Sequence, residues 1–315
     1  MKIAVTGASG FIGRELCLVL TAAGHSVVGV TRRKGNELPA STKNPVLREA
    51  GAHYEGATQA FRGAETVVHL AGRAHILDKT EAADLSSFGR VNHQLTMSIA
   101  RAASDQNVRR FVFVSTIGVH ALPQGGEKLV EESPLGPNSP YARAKLDAER
   151  ELKDFSHRSG MELVVVRPPL VYGPGAPGNM GRLVRLVRKQ IPLPFGMVKN
   201  RRSLIGLSNL CDFLMRCAEE DKAAGETFLV ADEEAVSTPC LIRLIAEAMG
   251  CKMRLFPFPE PLLYAAGWMT GQSQAIRQLC GSLVVDPGKA RQVLGWKAPH
   301  AVEFDIARMT KQLSA

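Results

Sequence analysis

The chain has 315 residues, 45% of them hydrophobic, and a formal net charge of +9. This is enough to bury a sizeable core as one large or two unequal domains. No stretch approaches eighteen consecutive apolar residues, which argues against a membrane-spanning helix. The first apolar run is only three residues long and breaks at Thr6-Gly7, so we expect no signal peptide. The six cysteines are scattered without a C-x-x-C pair, which favours a cytoplasmic protein over a disulfide scaffold or a zinc site.

The positive charge does not by itself indicate a nucleic-acid partner. A nucleic-acid binder is expected to show a basic stripe with interleaved aromatic residues, and aromatic residues make up only 6% of this chain. Basic residues instead cluster at Arg182, Arg185, Arg188 and Lys189 and again at Lys199, Arg201 and Arg202. Most such runs are solvated surface. The alternative is a binding surface for an anionic small substrate, such as a nucleotide-linked sugar.

Strand-like and helix-like segments alternate along the first half of the chain. Strands are predicted near 2–6, 26–30, 65–70, 110–115 and 162–167, with a weaker one near 52–54; helices are predicted near 11–23, 88–105 and 140–158. This alternation predicts an α/β fold with a doubly wound parallel sheet. It breaks at Pro168, and a Gly-Pro-rich segment follows. We therefore predict a Rossmann-type domain over 1–167 and a smaller substrate domain over 168–315, with some segments returning to the sheet.

Three glycines follow the first predicted strand at once. They are Gly7, Gly10 and Gly13, and an apolar helical pattern begins behind them at Phe11. A strand, a glycine-rich turn and a helix are the layout of a dinucleotide-binding fold, in which backbone N–H groups face a pyrophosphate. The spacing is G-x-x-G-x-x-G rather than G-x-G-x-x-G. The prediction of a dinucleotide site therefore depends on the position of these glycines directly after a strand.

A tyrosine and a lysine lie four residues apart at the start of the third predicted helix. Tyr141 and Lys145 therefore share one helix face. A cation beside a phenol favours the phenolate, so we expect Lys145 to lower the pKa of Tyr141 toward the working pH. Upstream, Ser115 and Thr116 end a predicted buried strand, where ligands bind in open parallel sheets. Capping of the strand end is the alternative role for these two hydroxyls.

Together these residues resemble the extended short-chain dehydrogenase/reductase family, over nearly the whole chain. The matching segments are 6–13, 68–72, 91–92, 114–116, 141–145, 167–174 and 294–296. The resemblance implies that Tyr141 is the general acid/base, that Thr116 orients the substrate oxygen, and that Lys145 tunes Tyr141. It implies that Asn92 supports the site, or else caps or packs its helix. It also implies a dinucleotide bound by Gly7, Ser9, Gly10, Phe11, Ile12, Gly13, Thr31, Leu70, Ala71, Tyr141, Lys145 and Pro168.

The end of the second predicted strand bears on the choice of cofactor. Family members that use NAD commonly carry an acidic residue there, which binds the ribose 2′-hydroxyl. This chain has Thr31 followed by Arg32 and Arg33. Two guanidinium groups without a carboxylate suit a 2′-phosphate. We therefore predict NADP, with NAD as the alternative if the arginines are merely surface residues.

The resemblance leaves three reactions on nucleotide sugars to be weighed. Dehydratases of the family place Asp-Glu after the strand-end hydroxyl, whereas this chain has Ile117-Gly118, which disfavours dehydration. The expected NADP favours a reductase over a 4-epimerase, which retains NAD. The segments 192–196 and 200–204 resemble bacterial reductases of UDP-4-keto-6-deoxy-N-acetylhexosamines in surface polysaccharide synthesis. A UDP-sugar 4-epimerase is the alternative reaction, and a catalytically silent dinucleotide-binding sensor is the alternative of another class.

The second half of the chain supplies candidate substrate residues, beside Ser115 and Thr116. Asn179 opens a helix whose N-terminus can face a diphosphate, and Arg202 lies where relatives carry an arginine for that group. Relatives have aspartate in place of Asn209, and the sequence does not indicate what this change does. The family more often has alanine in place of Gly72, and we expect this change to have little effect. The histidines at 69, 75, 93 and 120 lack metal-ligand spacing, so no metal is predicted. A homodimer through the helices near 88–105 and 140–158 is a further expectation.

Overall fold

The computed structural model describes residues 1–31, 46–49, 57–72, 89–123, 126–137 and 139–311. Nine strands lie within these ranges: β1 (Lys2–Thr6), β2 (Ser26–Thr31), β3 (Val46–Glu49), β4 (Thr66–His69), β5 (Arg110–Val114), β6 (Glu162–Arg167), β7 (Leu170–Tyr172), β8 (Leu204–Gly206) and β9 (Thr227–Leu229). Seven of them form one parallel sheet in the order β3-β2-β1-β4-β5-β6-β9, and β7 pairs with β8. The predicted α/β fold with a parallel sheet is confirmed. The strand expected near 52–54 falls outside the described residues, and the third strand is β3.

Eleven α-helices accompany these strands in the described parts of the chain. They are α1 (Phe11–Ala22), α2 (Ala57–Phe61), α3 (Leu95–Asp105), α4 (Pro140–Ser159), α5 (Gly178–Arg188), α6 (Leu207–Glu219), α7 (Thr238–Ala248), α8 (Glu260–Met269), α9 (Ser273–Cys280), α10 (Gly288–Leu294) and α11 (Val302–Lys311). A π-helical turn, Arg90–Gln94, leads directly into α3. Ser139 caps α4 by accepting a hydrogen bond from the Ala142 N–H, and Gly160 ends it in the left-handed conformation.

Both faces of the large sheet are buried, as its β5 strand shows. Phe111 and Phe113 point into the core formed with α2, α3 and α4, whereas Val112 and Val114 point into the core formed with α1 and α6. Successive side chains of a strand point to opposite faces, so a continuous apolar run requires cover on both sides. Two layers of helices provide that cover.

The strand order reverses beside β1, since β2 and β3 lie on one side of it and β4, β5 and β6 on the other. In parallel sheets of this kind, ligands bind beyond the carboxyl ends of the strands at such a reversal. The glycine-rich turn follows β1, and Ser115-Thr116 follows β5, so both lie at this edge. Later in the chain, β9 joins the sheet by pairing with β6, while α5 and α7 help form a separate core.

The buried amide of Asn209 joins α6 to two later segments. Its Nδ2 donates to Asp232 Oδ1 at 2.7 Å and to the His300 carbonyl at 2.9 Å, and its Oδ1 accepts from the His300 N–H at 3.0 Å. Asp232 also accepts a hydrogen bond from the Tyr172 hydroxyl at 2.6 Å and another from the Gly206 N–H at 3.0 Å. An aspartate at 209 would place a second carboxylate against Asp232. The structure therefore explains why asparagine suits this chain.

Changing Asn209→Asp is expected to lower the free energy of unfolding at neutral pH by about 2–4 kcal/mol, because it creates a buried pair of like charges and removes two donated hydrogen bonds. Chemical denaturation measures this loss. The control is Asn107→Asp, which makes the same charge change at an exposed position whose φ of +56° aspartate also tolerates, and it should cost less than about 1 kcal/mol.

The loss from Asn209→Asp should depend on pH. Burial already raises the pKa of Asp232, and a second carboxylate would raise it further. A carboxyl group whose pKa is raised by folding destabilises the fold fully above its folded pKa, and this penalty shrinks as the pH falls through the folded pKa and is gone below the unfolded pKa. The difference between variant and parent should therefore shrink as the pH is lowered from about 7 to about 4. An equal difference at both pH values would contradict the charge repulsion.

Candidate active site

The glycine-rich turn after β1 is shaped by close backbone contacts. Gly7 has a φ of +69°, and its N–H donates to the Val30 carbonyl of β2 at 3.1 Å. A Cβ on Gly13 would lie 2.2 Å from the Gly7 carbonyl oxygen, and a Cβ on Gly7 would lie 2.9 Å from the Ala71 backbone nitrogen. Within the described ranges, no side chain caps the N-terminus of α1, and the first N–H groups of a helix are suited to bind an anion. The turn therefore fits the close approach of an anionic group.

Changing Gly13→Ala is expected to weaken NADPH binding by about tenfold or more, because the methyl group must displace the turn and overpacking costs about 1–3 kcal/mol. A fluorescence titration with NADPH measures this affinity. The control is Gly89→Ala, because no described residue lies within 4 Å of a Cβ at Gly89 and its φ is −61°. Equal affinity of the Gly13 variant and the parent would show that the turn does not bind the cofactor.

The end of β4 packs directly against this turn. The Leu70 N–H donates to the Thr6 carbonyl at 3.3 Å, and the Ala71 N–H donates to Thr6 Oγ1 at the same distance. Thr6 Oγ1 also contacts His69 Nδ1 at 2.7 Å, and His69 Nε2 contacts Thr96 Oγ1 of α3 at 3.0 Å. The structure thus brings together the two segments predicted to bind the dinucleotide. His69 is a buried hydrogen-bonded residue within this arrangement.

The strand-end hydroxyls of β5 occupy different environments. Thr116 Oγ1 accepts from the Gly118 N–H at 3.1 Å and so caps the short turn Ile117–Val119, leaving its own proton available to a substrate oxygen. Ser115 Oγ is buried and has no hydrogen-bond partner among the described residues. The Ile117 N–H donates to the Pro168 carbonyl at 3.0 Å, which joins the ends of β5 and β6. The predicted site residues Ser115, Thr116 and Pro168 therefore lie together where β5 and β6 end.

Tyr141 and Lys145 lie on α4 as the sequence predicts, but the pKa of Tyr141 differs from the expectation. Burial raises the pKa of Tyr141 to about 12 and lowers that of Lys145 to about 8, the latter opposed by the charge of Glu149. The predicted lowering of the Tyr141 pKa is therefore wrong. The reason is that Lys145 Nζ donates to the Val114 carbonyl at 2.9 Å and lies 4.5 Å from the centre of the Phe113 ring. Burial then dominates the environment of the phenol.

The π-helical turn places Asn92 beside Lys145. A Cβ on Gly72 would lie 2.8 Å from Asn92 Oδ1 and 3.5 Å from Lys145 Nζ, so these groups surround one small space. Asn92 is fully buried. The glycine at position 72 provides room for the Asn92 amide, a consequence that the sequence pattern did not reveal. Irregular helical turns of this type often occur at functional sites.

The two candidate substrate residues of the second half both contact Gln278. Asn179 Nδ2 donates to Gln278 Oε1, and Arg202 Nη1 donates to the Gln278 carbonyl. Among the described residues, neither shares a hydrogen bond with Thr116, Tyr141 or Lys145. Next to Arg202 in the chain, a cleft of about 500 Å³ is lined by Lys199, Arg201, Arg243 and Glu234, together with eight other residues. Three cations against one carboxylate give this cleft an excess of positive charge.

A model of the NAD dependent epimerase/dehydratase family matches residues 3–231 of this chain. The chain belongs to this family. It is accordingly an NAD(P)-dependent enzyme of the extended short-chain dehydrogenase/reductase kind. A UDP-glucose 4-epimerase of Vibrio cholerae is 34% identical over 96% of this chain and 92% of that protein. A 2-alkyl-3-oxoalkanoate reductase of Shewanella oneidensis is 24% identical over 98% of this chain and 85% of that protein.

A solved structure shows the fold of this family. UDP-glucose 4-epimerase from Thermotoga maritima, determined with UDP-glucose, aligns with a TM-score of 0.80 over 100% of this chain and 99% of that chain, at 21% identity. The glycine turn, which has no room for side chains at Gly7 and Gly13, fits the dinucleotide that the epimerase/dehydratase family name implies. Arg32, Arg33 and His75 lie outside the described residues.

The described residues contain neither a candidate metal cluster nor a helix suited to span a membrane. No group of three or more His, Cys, Asp or Glu side chains there could hold a metal ion. No helix in the same residues is long and apolar enough to cross a membrane.

Sequence reasoning missed one buried group beside the site, namely His120, Glu149 and Arg167. The position of Glu149, one helical turn after Lys145, was the only signal available for it.

Proposed function

We propose that this enzyme reduces the C4 ketone of a UDP-4-keto-6-deoxy-N-acetylhexosamine with NADPH. The observation that carries the proposal is the sequence at the end of β2, where Thr31 is followed by Arg32 and Arg33 in place of the acidic residue that NAD-using members of the family commonly carry. Two guanidinium groups suit the 2′-phosphate of NADPH, which a reductase consumes, whereas a 4-epimerase retains NAD⁺. Reduction of the ketone also requires a proton donor, and the Tyr141 phenol can supply that proton.

The proposed mechanism assigns a role to each residue at the strand ends. NADPH, when bound, supplies the hydride that reduces C4. The Tyr141 phenol donates a proton to the alkoxide oxygen that develops at C4, and the Thr116 hydroxyl orients that oxygen. The Lys145 ammonium stabilises the phenolate left on Tyr141. Ile117 and Gly118 carry no acid or base, so no group of this turn supports elimination of water.

The nucleotide half of the substrate is assigned to the second part of the chain. We propose that residues 1–167 form the cofactor domain and that 168–315 mainly bind the UDP-sugar. The contacts of Asn179 and Arg202 with Gln278 and the cationic cleft beside Arg202 support this division. A diphosphate carries two negative charges, and Arg binds phosphate oxygens through its planar fork. The preference for NADPH over NADH rests on Arg32 and Arg33.

A UDP-sugar 4-epimerase is the second candidate. The relative from Vibrio cholerae, which bears the name UDP-glucose 4-epimerase, supports it through 34% identity over nearly the whole chain. An epimerase of this kind would need a tightly retained NAD⁺ and a Tyr141 whose pKa falls when substrate and cofactor bind. The two candidates differ in whether reduced cofactor is consumed.

The deciding experiment follows NADPH absorbance while a separate dehydratase generates the UDP-4-keto-6-deoxy-N-acetylhexosamine in the same cuvette. A reductase should oxidise one NADPH for each ketone reduced, faster than it oxidises NADH. A parallel incubation with UDP-glucose and NAD⁺, read by proton NMR, detects conversion to the C4 epimer. Epimer formation without NADPH consumption would replace the proposal by the epimerase, and no turnover in either assay would favour a silent dinucleotide-binding protein.

A further inference from the structure

A buried charged group lies directly behind the strand-end residues. It consists of His120, Glu149 and Arg167, each at most 4% exposed. Arg167 donates from Nε and Nη2 to the Glu149 carboxylate, with a shortest distance of 2.6 Å. Its Nη1 lies 3.0 Å from His120 Nε2, and His120 Nδ1 lies 3.0 Å from the Ser133 carbonyl oxygen. These three side chains are called the buried triad below.

The partners of His120 fix its tautomer. A guanidinium group only donates hydrogen bonds, so His120 Nε2 must accept from Arg167. The ring proton then lies on Nδ1, where it donates to the carbonyl of Ser133. A second proton, on Nε2, would face an N–H of Arg167 and break this contact. The arrangement therefore requires a neutral imidazole.

The buried triad joins the three elements that carry the proposed site. His120 follows the turn that begins at Thr116, and Glu149 lies on α4 one helical turn after Lys145. Arg167 ends β6 and directly precedes Pro168. A neutral His120 therefore holds the Thr116 turn against both β6 and α4.

We propose that His120 is a positioning residue for the reaction, acting through Arg167 and Glu149 on the placement of Thr116 relative to α4. The inference rests on the proposed function, because its principal measurement is turnover in the direction of ketone reduction. The charged groups that act on the imidazole are Arg167 from β6 and Glu149 from α4, and the loop contributes the carbonyls of Ser133 and Pro134. Burial and Arg167 lower the pKa of His120, which keeps the ring neutral.

Acidification should therefore disturb the site. A histidine whose pKa is lowered by folding destabilises the native arrangement when it is protonated. Its contribution to stability is complete above the unfolded histidine pKa of about 6.5 and is lost as the pH falls through the lower pKa of the folded state. We expect kcat of the parent enzyme to fall on the acidic side for this reason.

Two variants separate positioning from simple packing. His120→Gln keeps an acceptor for Arg167 and a donor for the Ser133 carbonyl without a titrating ring, so kcat should stay within about threefold of the parent and lose its acidic decline. His120→Phe keeps a ring but no acceptor, so kcat should fall by about 10–100-fold with KM within about threefold, as expected for a displaced catalytic group. The control is His25→Gln, whose Nε2 contacts Glu219 Oε1 at 2.9 Å beside the amino end of β2. It should retain the kcat and the pH profile of the parent.

The measurements are kcat and KM from pH 5 to 9 and the thermal unfolding midpoint of each variant. A purely structural role would lower the unfolding midpoint of His120→Phe and leave kcat of the folded protein unchanged, which would overturn the proposal. An acidic decline that persists in His120→Gln would also overturn it.

If the parent turns over neither sugar substrate, the proposed function fails. The positioning role of His120 is then tested by NADPH titration instead. His120→Phe should then bind NADPH at least about fivefold more weakly than His120→Gln and the parent, because Pro168 and the Thr116 turn shift. Equal NADPH affinities of all three proteins would reject the proposed positioning role of His120.

Discussion

Replacing Tyr141 by phenylalanine is expected to lower kcat by about two to four orders of magnitude while KM stays within about threefold. The substitution removes one oxygen atom from a half-buried ring and with it the only proposed proton donor of the site. We expect the other dinucleotide and substrate contacts to maintain ground-state binding without that oxygen, so the loss should appear in turnover. The measurement is steady-state NADPH oxidation with the keto sugar, together with a fluorescence titration of NADPH.

The control for this variant is Tyr264→Phe, which removes the same oxygen from an exposed tyrosine on α8. It should leave kcat and KM unchanged within about twofold. A Tyr141→Phe enzyme with parental turnover would rule out Tyr141 as the general acid. An increase in KM alone would assign the phenol to binding rather than to proton transfer.

Replacing Arg110 by methionine is expected to lower the free energy of unfolding by about 3–5 kcal/mol. Arg110 is fully buried at the start of β5, and its Nε donates to Glu162 Oε2 at 2.7 Å. Its Nη1 donates to the carbonyls of Cys217 (2.9 Å), Ala218 (3.2 Å) and Glu220 (2.7 Å) at the C-terminal end of α6. Helix ends leave such carbonyls without partners, and methionine fills the space without supplying donors. Chemical denaturation measures the loss.

The neighbouring arginine is a matched control. Arg109 pairs with Glu162 and Asp221 at 3.5 and 3.0 Å, but its side chain is 41% exposed. Exposed pairs contribute little, so Arg109→Met should cost less than about 1 kcal/mol. Equal losses for the two variants would show that the carbonyl contacts of Arg110 do not stabilise α6. Because both arginines lie away from the carboxyl edge of the sheet, neither change should alter kcat of the folded enzyme.

The sequence alone was sufficient to predict the parallel sheet, the glycine turn and the position of Tyr141 and Lys145 on one helix. Each of these depends on residues close together in the chain. The spacing of Gly7 and Gly13 reflects a steric contact within one turn, and the continuous apolar run of β5 reflects burial on both faces. Local patterns of this kind are visible without knowledge of distant segments.

Tertiary structure decided what distant residues do to one another. The pKa of Tyr141 is raised rather than lowered, because burial and the Val114 contact of Lys145 outweigh the spacing of the two side chains. The buried triad joins His120 to Arg167 across 47 positions of the chain, and no periodicity indicates such a contact. Desolvation and hydrogen bonding depend on which surfaces the fold brings together. The sequence therefore determined the type of site, and the tertiary structure determined its protonation and its support.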